Sequence, residues 1–136
     1  MKHLACCLLL ALAATGLAAA DTSSPNELMT QKAMQAELYG VRISGVEIGT
    51  GAGWNECIEP GGRTVYEYGG RRIEGLLTIT EAPAACFTYP ETGVSCFRVQ
   101  RAVKGYMFRS TDYAITYHAS KVERGVKNCF ATDLVG

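Results

Sequence analysis

Few residues in this 136-residue chain are of types that do chemistry, and their spacing narrows the options. His118 is the one histidine outside the first few residues, so any proton transfer near neutral pH by imidazole must use it. A Ser-His-Asp triad would join it to Asp112 and a serine, yet no Gly-x-Ser-x-Gly elbow presents a nucleophile. In a strand over 113–118, Tyr113, Ile115 and Tyr117 share one face, while Ala114, Thr116 and His118 share the other. The bulky face is the natural inward one, which turns His118 to water and argues against a catalytic role. Glu56 with Glu59, or Glu67 with Glu74, could face one another across a sheet as glycosidase carboxylates do. Solvated strand faces have the same spacing, so these four are read as surface acids and no catalytic residue is assigned.

Cys57, Cys86, Cys96 and Cys129 carry no Cys-x-x-Cys pair, which removes the common zinc and dithiol redox patterns; no metal or other cofactor is expected. Gly49, Thr50, Gly51, Ala52 and Gly53 form a glycine-rich loop. No Lys-Ser/Thr follows it, and the next segment reads as strand, so it is not a phosphate cradle. Together with Trp54 it is the candidate recognition loop, because function concentrates on loops held by rigid sheets. Tyr39, Tyr66, Tyr68, Tyr89, Tyr106, Tyr113 and Tyr117 could line a pocket or a contact face; tyrosine also suits the half-buried surface of a small barrel, the reading adopted here.

The elements that must position these residues begin after a leader. Residues 1–20 have a basic start at Lys2 and His3, an apolar run from Leu4, and Ala18-Ala19-Ala20 before Asp21. That pattern predicts a cleaved signal peptide, with Cys6 and Cys7 leaving in it and no stable membrane insertion of what remains. A periplasmic or secreted location follows, where an even cysteine count reads as disulfides. Residues 21–136 have the length of one domain. They hold 12 basic and 13 acidic side chains, a balance that does not call for nucleic acid. Residues 21–97 carry 5 basic and 10 acidic groups against 7 and 3 in residues 98–136, read as solvated faces.

Ser24-Pro25-Asn26-Glu27 predicts a helix start, and the helix should run over about 25–39 to a left-handed Gly40. From Val41 the apolar period changes to two, with a bulge suited to Ser44-Gly45. Strands are expected over Trp54–Glu59, Thr64–Tyr68, Arg71–Thr80, Ala85–Tyr89, Val94–Arg101, Tyr106–Ser110 and Tyr113–His118, with a loose polar tail after them. Short strands joined by glycine turns predict a mostly β domain, a small antiparallel barrel or sandwich built as a meander. Folding a hairpin about Pro90-Glu91-Thr92-Gly93 sets Cys86 opposite Cys96 and puts Phe87, Tyr89, Phe97 and Val99 on the other face. Cys57 is then left to pair with Cys129, a link suited to a closed sheet.

Leu38-Tyr39-Gly40, Gly61-Gly62-Arg63-Thr64-Val65-Tyr66, Gly75, Cys86-Phe87-Thr88-Tyr89 and Cys96-Phe97-Arg98-Val99 occur in this order over residues 38–99. In this the chain resembles a family of small exported disulfide-containing proteins of unknown function from Gram-negative bacteria. Leu77 stands where that family tends to have tryptophan. The resemblance implies an exported β domain and a Cys86–Cys96 bridge, and it implies no activity. The function expected is a non-enzymatic binding module for a protein, in the manner of an inhibitor, or for a small ligand. The alternatives are a small hydrolase using His118 and an envelope protein that associates with itself.

Overall fold

The computed structural model describes residues 24–130. Eight antiparallel strands in sequence order close into one barrel. They are β1 (Val41–Glu47), β2 (Gly53–Ile58), β3 (Arg63–Tyr68), β4 (Arg71–Ile79), β5 (Ala85–Tyr89), β6 (Gly93–Arg101), β7 (Tyr106–Ser110) and β8 (Thr116–Arg124). Among the described residues a single short helix, α1 (Gln31–Leu38), precedes them. The mostly β architecture is the expected one, and the structure decides for a barrel over a sandwich. Both bridges are also as read: Cys57–Cys129 spans 72 residues and Cys86–Cys96 spans 10. Two disulfides fit an oxidising, extracellular or periplasmic setting. Among the described residues no helix is long and apolar enough to cross a membrane. The signal-peptide reading falls on residues 1–20, outside the described ones.

The two ends of the barrel differ. The β2–β3, β4–β5 and β6–β7 connections lie at one end, together with α1. There Met29, Met34 and Leu38 are buried with Val41, Ile58, Leu77, Ile79 and Val99. Residues of types that favour helix, started by the Thr30 side chain accepting from the Ala33 amide at 3.2 Å, place Met34 and Leu38 on one face. Burying that face closes this end. Glu37 holds the helix down: it accepts from Arg101 and from the Tyr106 hydroxyl (2.9 Å), and Arg124 bonds its main-chain carbonyl at 3.2 Å. Burial pushes the Glu37 carboxyl up. The bonds from Arg101 and Tyr106 and the charges of Arg101 and Arg124 outweigh it and hold the group below its ordinary range.

The helix is shorter than the expected 25–39. β5 pairs with β6 only as far as Phe97, which leaves the Val99 and Arg101 carbonyls open on that side. The amides of Met29 and Asn26 take them, at 2.8 and 2.9 Å, with Asn26 at φ 79°. The chain turns at Asn26, with the Glu27 amide bonding the Ser24 carbonyl, and residues 27–29 then run along the sheet, so the helix waits for Thr30. Its end is as read, with Gly40 at φ 69°.

β8 is the second correction. It begins at Thr116, not Tyr113, and runs on to Arg124 through residues read as a loose tail. The Asp112 carboxylate accepts from the Ser110 hydroxyl and the Ala114 amide, and Tyr113 takes φ 62°, so the chain is still turning there. Farther on, the β1–β8 register slips between Ser44 and Gly45: Ser44 pairs Lys121 while Gly45 pairs Ala119. Ser120 is therefore extra, and the inward positions change phase from Tyr117 and Ala119 to Val122 and Arg124. That phase change hides the strand from a period-two reading. Gly45 makes the bulge possible, since a Cβ there would lie 1.7 Å from the His118 carbonyl oxygen.

Candidate ligand cavity

The β1–β2, β3–β4, β5–β6 and β7–β8 connections surround the other end, and beneath them the barrel interior is hollow. The cavity is about 350 Å³. Its wall is built one strand at a time, because residues two apart in a strand share the inner face. Ile43 of β1, Trp54 and Glu56 of β2, Tyr66 of β3 and Ile73 of β4 form one side. Phe87 and Tyr89 of β5, Ser95 and Phe97 of β6, Phe108 of β7 and Tyr117 of β8 form the other, with Thr92 and Ile115 at the rim. Aromatic rings hold one another upright: Trp54 meets Tyr117 edge to face at 5.4 Å, and Phe97 meets Tyr117 at 5.7 Å.

Glu56 is the chemical centre of this wall. The register row Ile43–Glu56–Tyr66–Ile73 sets it one row below Trp54 and one above Ile58. Only 3% of the residue is exposed. Its Oε2 accepts from the Tyr89 hydroxyl at 2.7 Å, and its Oε1 has no partner. The Trp54 Nε1–H, on the same wall, is also unpartnered. Buried polar atoms ordinarily find partners, so two orphans on residues of one cavity wall are informative. Burial pushes the Glu56 carboxyl up to about 8; the Tyr89 bond pulls the other way and is the smaller effect. The side chain is therefore a neutral acid at neutral pH.

Tyr89 reaches Glu56 because Gly75 on β4 leaves it room. A Cβ on Gly75 would lie 2.5 Å from the Tyr89 Cδ1 and 2.5 Å from the Thr88 carbonyl oxygen. Tyr66 and Tyr117 act on one another above. Burial, and for Tyr89 the Glu56 carboxyl beside it, pushes all three phenols above their ordinary range, so they stay neutral.

The residues singled out from sequence are scattered by comparison. Gly49, Thr50, Gly51 and Ala52 cap the β1–β2 hairpin at the open end, tied by Glu47 N to Ala52 O and Gly51 N to Glu47 O, both 2.9 Å. Gly53 opens β2, and Trp54 faces inward as part of the cavity wall and not of an exposed loop. His118 is on the outer side of β8, with Nε2 3.2 Å from the Lys104 carbonyl oxygen at the closed end. Asp112 is in the β7–β8 connection at the opposite end, so no triad assembles from this pair. The carboxylate pairs do not form either. Glu59 accepts from the Cys129 amide at 2.9 Å, Glu67 bonds Arg72, and Glu74 is exposed. Glu56 is the correction that matters: read as a surface acid, it is inside. The available signal was its strand phase, since it alternates with Trp54 and Ile58.

A shallower hollow outside β2–β4 is lined by Glu67, Arg71 and Arg72, whose charges already pair within the protein (Arg71 with Glu91, Arg72 with Glu67). No family model, curated protein or solved structure matches this chain.

Proposed function

We propose that this protein is an exported binding module that takes a small, largely apolar ligand into the open end of its barrel. The observation behind this reading is the cavity: aromatic walls around two polar atoms, Glu56 Oε1 and Trp54 Nε1, that the protein leaves without partners. Small-molecule sites are concave and mostly apolar, with a few placed polar groups, and typically fall at about 300–1,000 Å³. At about 350 Å³ this one is suited to a compact ligand. The rigid frame serves the same end, because a closed barrel with one end plugged by α1 keeps its walls in place when empty. The disulfides support the exported part of the reading.

Trp54 is the sole tryptophan, so its fluorescence reports on the cavity directly. Titration with small aromatic compounds should change that emission saturably. Ser95→Phe, which adds a ring to the cavity wall, should abolish the change while the circular dichroism spectrum stays the same. Saturable binding that Ser95→Phe leaves untouched would move the site elsewhere and end this proposal.

A further inference from the structure

We propose that the ligand is a small aromatic amine, held as a cation by Glu56 and by the rings around it. This rests on the cavity reading above and adds the ligand's chemistry to it. Three observations converge. Among the described residues the cavity wall contains no lysine, arginine or histidine, so an anionic head group would find no counter-charge there. Its one acidic side chain is buried and has an oxygen, Oε1, with no partner. Trp54, Tyr66, Phe87 and Tyr89 share the cavity wall with Glu56, and ring faces attract an ammonium within about 6 Å of their centroids. An N–H of the ammonium would donate to Oε1, and an acceptor elsewhere on the ligand would take the Trp54 Nε1–H.

Charge balance makes the idea testable. Empty, Glu56 carries a proton, its carboxyl being pushed up to about 8 by burial. An ammonium favours the carboxylate, so binding expels that proton: Glu56–COOH and R–NH₃⁺ give the ion pair and one H⁺. The groups facing Glu56 do not compete. From β1 comes Ile43, from β3 Tyr66, from β5 Tyr89 and from β8 Tyr117, and the three phenols are held neutral well above this range. Glu47 and Tyr68 act on Tyr117, and Tyr68 on Tyr66, from the rim. Below pH 8, amine affinity should therefore rise about tenfold per pH unit, since one proton is released.

The experiment compares three congeners of one shape on the full mature protein: phenethylamine, 2-phenylethanol and phenylacetate, by calorimetry and Trp54 emission. Phenethylamine should bind tightest at pH 7.5, roughly thirtyfold tighter than at pH 6.0, and release about one proton when buffers of different ionisation enthalpy are compared. Phenylethanol should bind more weakly without pH dependence, and phenylacetate not at all. Glu56→Gln should remove the pH dependence and at least tenfold of amine affinity while leaving phenylethanol within threefold. If phenylethanol binds in the cavity (lost in Ser95→Phe) as tightly as the amine, or if Glu56→Gln leaves the amine unaffected, the amine assignment fails and the cavity reading survives. If none of the three binds, both fail.

Discussion

The two ends of one barrel are made from the same strands and solve opposite problems. At the closed end aliphatic side chains meet α1, and a partly buried charge is matched: Glu37 has Arg101, Tyr106 and Arg124 around it. At the open end aromatic residues line a hollow, and the one buried carboxyl has a single hydrogen bond and an idle oxygen. A carboxyl matched by cations is pulled down in pKa; one matched by nothing but a phenol is pushed up. The difference teaches which end is built for stability. Leaving polar atoms unpaired in a protein interior costs about 1–3 kcal/mol each, a cost carried by Glu56 Oε1 and Trp54 Nε1 on the cavity wall and by Thr64 Oγ1 in the row below.

The largest effect that would sharpen this contrast is in the pH dependence of stability. Glu56 holds its proton in the folded state up to about 8 but loses it near 4.5 when unfolded. The folded chain therefore binds more protons between those values, and stability falls as pH rises through that window. At about 1.4 kcal/mol per unit the shift corresponds to a loss of about 5 kcal/mol by pH 9, an upper figure. Glu56→Gln, which keeps the shape of the neutral acid and an acceptor for Tyr89, should remove that fall. Urea unfolding at pH 5 and pH 9 measures it. A variant whose stability drops with pH as steeply as the parent's would put Glu56 outside this role.

Next in size is the closed end. Replacing Cys57 and Cys129 together by serine frees a 72-residue separation and should cost about 4 kcal/mol in the chain-entropy account. Urea midpoints give the number, and ligand affinity measured well below the new midpoint should be retained, because neither cysteine lines the cavity. Loss of binding in a still-folded variant would join the two ends functionally and break the comparison.

Gly75→Ala tests the geometry between them. The added methyl has to displace the Tyr89 ring or the Thr88 carbonyl, at a cost of about 1–3 kcal/mol for overpacking. With the Tyr89 bond to Glu56 disturbed, binding should weaken as well, which thermal melts and Trp54 titrations read separately.

The smallest effect is expected at His118. It lies outside the cavity and bonds only a loop carbonyl, so His118→Gln should change stability by about 0.5 kcal/mol and leave ligand affinity the same. A large loss of affinity in a folded His118→Gln variant would bring β8's outer face into the site.

The sequence by itself determined the strand-rich architecture, the strand order and both cysteine pairs. These depend on local period and on hairpin symmetry: with Cys86 four residues before Pro90 and Cys96 three after Gly93, one register satisfies both faces. It was misleading wherever a distant partner overruled the local signal. Ser24-Pro25 reads as a helix start, but open carbonyls on β6 bond the Asn26 and Met29 amides and hold this segment against the sheet. Residues 119–124 read as a tail, but the bulge at Gly45 changes their phase and pairs them with β1. Glu56 shows the same principle at the site. Alternation could put it on Trp54's face, yet only closure of the barrel decides that this face has no water behind it. Burial is a property of all eight strands together, and the pKa, the idle oxygen and the cavity follow from burial.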